Sequence, residues 1–201
     1  MLETLRRAIS EGELAPGQRL DPASIALQLR CSRMPVRDAI KELEAEGLVV
    51  SYPSRGTEVS RLERSDIEQI FGIRLALEKV ALERAVFRMG EEDHGALHDL
   101  LLRMDEPSDL KSWLALNEAF HSHIAQASGW PRLVTQIERE RRNIDRYVRV
   151  RVRVDGHEQP QREHWELYQA CVERDAARAC SILERHLNRT AQLLSDEGVS
   201  P

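Results

Sequence analysis

Asn117 and His121 stand four residues apart, so a helix through them stacks an amide oxygen and an imidazole on one side, near Phe120 and Ile124. His164 and His186 fall on two later helical stretches. Three imidazoles and one oxygen gathered inside a helical bundle make a site for Zn2+, Ni2+, Mn2+ or a similar ion. The competing reading is the ordinary fate of histidines in a charged chain that has seven of them, a surface position or a single hydrogen bond. His94, His98, His123 and His157 are assigned to that background, His123 because a helix turns it to roughly the opposite side from His121.

A second set is cationic. Arg33, Arg37 and Lys41 recur every fourth residue, so all three project from one helix face, opposite the apolar stripe of Val36, Ile40 and Leu43. Arginine forks match the O6 and N7 edges of guanine in a major groove, and the N-terminal turns of a recognition helix are the ones that reach base edges. Lys41, further along, suits a phosphate. Arg55 beside Gly56 places a long cation at a flexible turn, within reach of the DNA backbone or minor groove. On spacing alone the alternative is a solvated helix face.

The elements that must position these residues read as follows. Leu2, Leu5, Ala8 and Ile9 predict a first helix of about ten residues, stopped by Gly12 and Ala15-Pro16-Gly17. Asp21 caps a short second helix with Pro22 in its first turn, and Ser32 caps a third that ends at Gly47. Leu48-Val49-Val50 and Glu58-Val59 predict two strands around the turn Tyr52-Pro53-Ser54-Arg55-Gly56. Three helices and a β-hairpin make a winged helix-turn-helix, residues 1–62, with a boundary near 61–65. Beyond it only helical patterns follow: from a Ser65 cap to about Met89, then about 92–104, Asp109 to Ser128, 132–151, 160–174 and 176–195, with a break at Val154-Asp155-Gly156. The fold class is therefore mainly α, a winged helix-turn-helix followed by an all-α antiparallel bundle over residues 66–201.

Composition limits the function classes. Residues 1–62 hold nine Lys/Arg and nine Asp/Glu out of 29 and 34 in the whole chain, so the net charge of −5 arises entirely beyond them and bulk basicity gives no DNA argument. No run of about 18 apolar residues appears, and the first dozen residues mix acids and bases, which predicts a cytoplasmic protein with no membrane partner. Cys31, Cys171 and Cys180 are too few and too scattered for a disulfide framework and are read as reduced thiols.

Leu5-Arg6-Arg7-Ala8-Ile9, Leu14 to Leu20, Ser32-Arg33-Met34-Pro35-Val36-Arg37-Asp38-Ala39-Ile40, Leu43 to Val49 and Arg55-Gly56-Thr57 together resemble the DNA-binding domain of GntR-family regulators over nearly all of residues 2–60. The resemblance implies a DNA contact set of Ser32, Arg33, Arg37, Lys41, Arg55, Gly56 and Thr57. Pro22-Ala23-Ser24 departs from the polar reader the family often carries there. Asn117 to His121, continuing to Gly129, together with Glu163-His164 and His186-Leu187, resembles more loosely the ligand-binding domain of the FadR/FCD branch. That resemblance implies metal ligands Asn117, His121, His164 and His186, with Asn117 where many members have Asp, which removes the protein anion and weakens the metal. It also implies that Arg74 faces an effector pocket as a carboxylate clamp, the alternative being an Arg74–Glu78 ion pair on the helix surface. Arg141 or Arg142 can add a second cation, and nothing in the sequence selects between them.

The expected function is a ligand-responsive transcriptional regulator. It is read as a homodimeric repressor on a pseudo-palindromic double-stranded DNA operator, modulated by a small carboxylic acid with a bound divalent metal. A metal-dependent enzyme is the first rival, and it lacks a general base: Glu118 and Glu163 lie about 100° around their helices from the site residues beside them and are expected to face away. The chain is therefore read as no enzyme. The second rival is a plain helical dimerisation scaffold.

Overall fold

A computed structural model describes the backbone of residues 1–196, with the side chains of all of these except 146, 150, 151, 153–155 and 196. The last residues of the expected second domain, 197–201, lie outside the described residues. Helix α1 (Leu2–Ser10) buries Leu5 and Ile9. The two-residue strand β1 (Arg19–Leu20) follows, then α2 (Pro22–Gln28), which starts at Asp21 because that carboxylate accepts from the backbone N–H groups of Ala23 and Ser24. Helix α3 (Arg33–Ala45) turns Val36, Ala39, Ile40 and Leu43 inward. Ser32 holds its N-cap position, but the hydroxyl makes no capping bond. Gly47, at φ +82°, ends the helix in the left-handed region that glycine enters without steric cost.

Strands β2 (Val49–Tyr52) and β3 (Gly56–Val59) form the hairpin, each longer than the apolar pattern suggests because the outer pairs Ser51–Thr57 and Tyr52–Gly56 bring no large apolar side chain to the core. Strand β1 pairs with the far edge of β3, giving the sheet order β1-β3-β2. A two-residue strand has no period to display, and the sequence did not announce it. Leu20, Val49 and Val59 close this sheet over the three helices.

The bundle comprises α4 (Arg64–Arg88), α5 (Glu91–Asp105), α6 (Leu110–Ala127), α7 (Pro131–Asp155), α8 (Glu158–Val172) and α9 (Ala176–Asp196). Glu63, not Ser65, caps α4, in a reciprocal box with Asp66. Helix α7 runs through to Asp155 rather than stopping at 151, since buried Val152 continues its inward row, and Gly156 at φ +78° ends it. Helix α4 packs on α6, α7 and α9, while α8 packs on α5 and α9. Leu97, Leu101, Trp113 and Phe120 are fully buried in the centre.

The two units meet through α7. Arg139 donates to the carbonyl of Ala45 at the end of α3, Arg142 lies 4.0 Å from Glu46, and the Tyr147 hydroxyl accepts from Leu62 N–H at 2.9 Å in the connection. Arg6 of α1 also grips Glu46, so arginines from both units surround the negative end of the recognition helix. Among the described residues no helix is long and apolar enough to cross a membrane, and the three cysteines are unbonded.

Candidate functional site

Helix α6 presents His121, α8 His164 and α9 His186, and their ligand nitrogens all lie within 4.8 Å of one another. The Nε2 atoms of His121 and His164 are 3.2 Å apart. Two nitrogens bound to one cation at about 2.1 Å stand roughly 3.0–3.4 Å apart, so the spacing fits a shared metal. The tautomers agree. His186 Nδ1–H donates to Glu163 at 2.8 Å, and His164 Nδ1–H points at Gln161 Oε1 at 3.4 Å, leaving both Nε2 lone pairs turned inward. Gln161 is itself held by donating to Leu101 O and Asp105. Burial first, then Arg141 beside His121 and His186 beside His164, push these two imidazoles well below the ordinary histidine value, so they are neutral and able to ligate.

Glu163 corrects the expectation that it faces away. It is 2 % exposed and receives both His186 and Arg189. Helix α8 is covered on more than one face, so a residue 100° from His164 still points into the protein. Glu118 also departs from expectation, for it lines the cavity beside the triad, although it is exposed.

That cavity, about 330 Å3, opens among α4, α6, α7, α8 and α9, with Asn117, His121 and His186 in its wall. Arg74 lines it too, but is buried, with Nε donating to Glu78 at 2.9 Å. The ion pair with Glu78 exists, in the interior rather than on the surface, because α7 covers this face of α4. Arg141 of α7 donates to the same Glu78 at 3.0 Å, whereas Arg142 points to Glu46, and this settles which of the two reaches the cavity. Burial opposes ionisation of Glu78, yet Arg141 and Arg74 outweigh it and hold the carboxyl at about 2. Asp145, one turn beyond Arg141, is pushed up to about 6 by burial and by Glu118. The four background histidines stay out of the triad, as with His123 on Asp93 at 3.0 Å and His157 tilted against the Trp113 ring.

On the winged domain, Ser32, Arg33, Arg37 and Lys41 are all exposed along α3. Arg55 is exposed at the wing, its guanidinium over the Tyr52 ring, while Gly56 at φ +82° has open space around it. Thr57 is half-buried, its hydroxyl 3.0 Å from that of Ser51 across the hairpin. Two cations went unnoticed in the sequence. Arg19 braces the wing by donating to Arg55 O, and Arg30 stands exposed in the turn before α3 at φ +51°.

A winged helix with an arginine-bearing recognition helix, joined to a bundle around a ligand-sized cavity, defines a DNA-binding transcriptional regulator. Residues 2–59 match the family described as bacterial regulatory proteins, gntR family, and residues 69–189 match the FCD domain. The chain belongs to the GntR family, in the group whose C-terminal part is an FCD domain. It is 30% identical to an uncharacterized HTH-type transcriptional regulator in an unstable DNA locus of Streptomyces ambofaciens, over 91% of this chain and 78% of that one. It is 26% identical to the HTH-type transcriptional repressor RspR of Escherichia coli K12, over 94% and 84%. Its fold is that of E. coli McbR/YncC, with a TM-score of 0.82 at 23% identity over 96% and 94%.

Proposed function

We propose that this regulator is a homodimeric repressor whose operator binding is set by a divalent metal and a small carboxylate held in the bundle cavity. The observation that carries the reading is the convergence of three imidazoles, His121 and His164 held neutral, with His121 and His186 in the wall of a cavity that Arg74 and Arg141 also reach. His121, His164 and His186 would hold the metal, with Glu163 orienting His186, and Asn117 adding a neutral oxygen from one turn earlier on α6. When bound, the metal supplies a positive centre for an anionic effector. With no carboxylate among these ligands, an effector carboxylate restores the missing charge, so metal and effector reinforce one another's binding. Ser32, Arg33, Arg37, Lys41, Arg55, Gly56 and Thr57 form the DNA face, Arg33 and Arg37 reading bases and Lys41 a phosphate.

Helix α7 supports a route between the sites. Its cavity face carries Arg141, Asp145 and Val148, and its opposite face carries Arg139, Arg142 and Tyr147 against α3 and the connection. Movement of α7 on effector binding would therefore reach the recognition helix through a rigid body. Dimerisation is supported by α4, where Ile73, Val80 and Phe87 recur every seventh residue at 48%, 41% and 62% exposure, an apolar row with no cover.

Metal analysis of the purified chain, beside a His121→Ala/His164→Ala variant of verified fold, tests the reading. Near-stoichiometric metal in the first and none in the second is expected. Absence of metal after reconstitution with zinc, nickel and manganese would remove the metal and leave Arg74, Arg141 and the bare cavity as the sensor.

A further inference from the structure

The cavity has two ends of different chemistry, and their difference bears on the class of effector; the argument rests on the sensor reading above. Helices α6 and α7 are consecutive and antiparallel, so stepping from His121 back to Trp113 runs with the step from Arg141 on to Val152. Trp113 lies against His157 at the start of α8, with ring centres 5.1 Å apart, so α9 running back along α8 carries the step from His186 to Leu193 in the same direction. Imidazoles and the Arg74 and Arg141 guanidiniums occupy one end. The other is walled by Trp113, Leu114, Val148, Val152 and Leu193, with Arg149 between the two valines on α7.

Polar side chains near the apolar end are largely committed within the protein. Gln159 Nε2 donates to Glu163 at 3.3 Å, Arg189 Nη2 to the same carboxylate at 2.8 Å, and the Thr190 hydroxyl to His186 O at 3.0 Å. Among the described lining residues, the buried N–H groups left without a partner are Trp113 Nε1, Arg149 Nε and Arg189 Nε. Trp113 Nε1 suits an occasional carbonyl or ether oxygen, while the Arg189 and Arg149 guanidiniums already have carboxylates near them, Glu163 and Asp145. A sugar acid would bring a row of hydroxyls, each needing a partner in place of the water it loses, against five apolar side chains.

We infer that the effector is a carboxylate with a single acidic head and an apolar body, aryl or aliphatic, rather than a polyhydroxylated sugar acid or a tricarboxylate. The head lies at the imidazole and guanidinium end, and the body extends between α7 and α9 toward Val152 and Leu193. A volume of about 330 Å3 is that of roughly eleven water molecules, at the small end of ligand cavities, which suits a compact body.

The test is calorimetric titration of the full chain, zinc-loaded and zinc-free, with ethanoate, butanoate, hexanoate and octanoate beside gluconate and citrate. Kd is expected to fall about three- to fourfold for each added methylene until the cavity is full, and hexanoate is expected to bind at least about tenfold tighter than gluconate. Leu193→Asn, at a half-buried position, flattens the series while leaving zinc binding and ethanoate affinity unchanged. Gluconate or citrate binding more tightly than hexanoate would overturn the apolar-body class and leave the carboxylate sensor standing. Failure of every carboxylate to bind, with and without zinc, would overturn both.

Discussion

Glu78 carries the charge balance of two buried arginines, Arg74 and Arg141, and its carboxyl ionises at about 2 in the folded protein against an ordinary 4.5. The stabilisation it contributes is complete above the ordinary value and is lost as pH falls through the folded one. Glu78→Gln is expected to cost about 3–5 kcal/mol at neutral pH, because it strands two guanidiniums in the interior. Denaturant titrations should show the gap between variant and parent narrowing as pH is taken from 5 toward 2. Arg30 is a second residue whose surroundings oppose it, being a branched-off turn position with φ +51° and a full side chain. Arg30→Gly is expected to raise Tm by relieving about 1 kcal/mol of strain. Arg30 is exposed three residues before the start of α3, so the same variant should lower the salt slope of operator binding by about one phosphate contact.

At the scale of elements, α7 is the member shared by both units. Its residues alternate between the cavity and the end of α3 with the helical period, and this makes the contact testable without touching a metal ligand. Arg139→Ala/Arg142→Ala removes the grip on Ala45 O and Glu46. The expected result is unchanged zinc binding together with loss of the zinc response in operator affinity, a response of about 5- to 150-fold in the parent if the coupling is of ordinary size. Fluorescence anisotropy with a selected duplex, in zinc and in chelator, reads both. A variant that keeps its full zinc response would place the coupling elsewhere.

For the whole molecule, two half-sites on DNA ask for two winged domains, and the exposed row on α4 is where a second copy can be held. Val80→Glu/Phe87→Glu puts two carboxylates into that row at positions where the single chain buries little. Sedimentation should then show monomer where the parent is a dimer, with operator affinity reduced by about 100-fold or more through loss of the linked second contact. The bundle itself should keep its helical signal and its metal, since neither side chain belongs to the buried core.

Short-range features were legible in the one-dimensional chain: the Asp21 cap, Gly47 as a stop, the helical rows of α3 and α6, and the pairing of Asn117 with His121 on one face. These depend on neighbours within a turn or two, and spacing expresses them fully. Resemblance extended this to the histidines of α8 and α9. The tertiary structure decided everything that depends on what covers a face. Glu163 points inward because α8 is packed on more than one side, and Arg74 and Glu78 are buried because α7 lies across them. Arg141 rather than Arg142 reaches the cavity because of how α7 is rotated, and β1 exists only because β3 has a free edge beside it. A helical period says which residues share a face, but burial, counter-ions and proton positions follow from the partner that arrives from far along the chain.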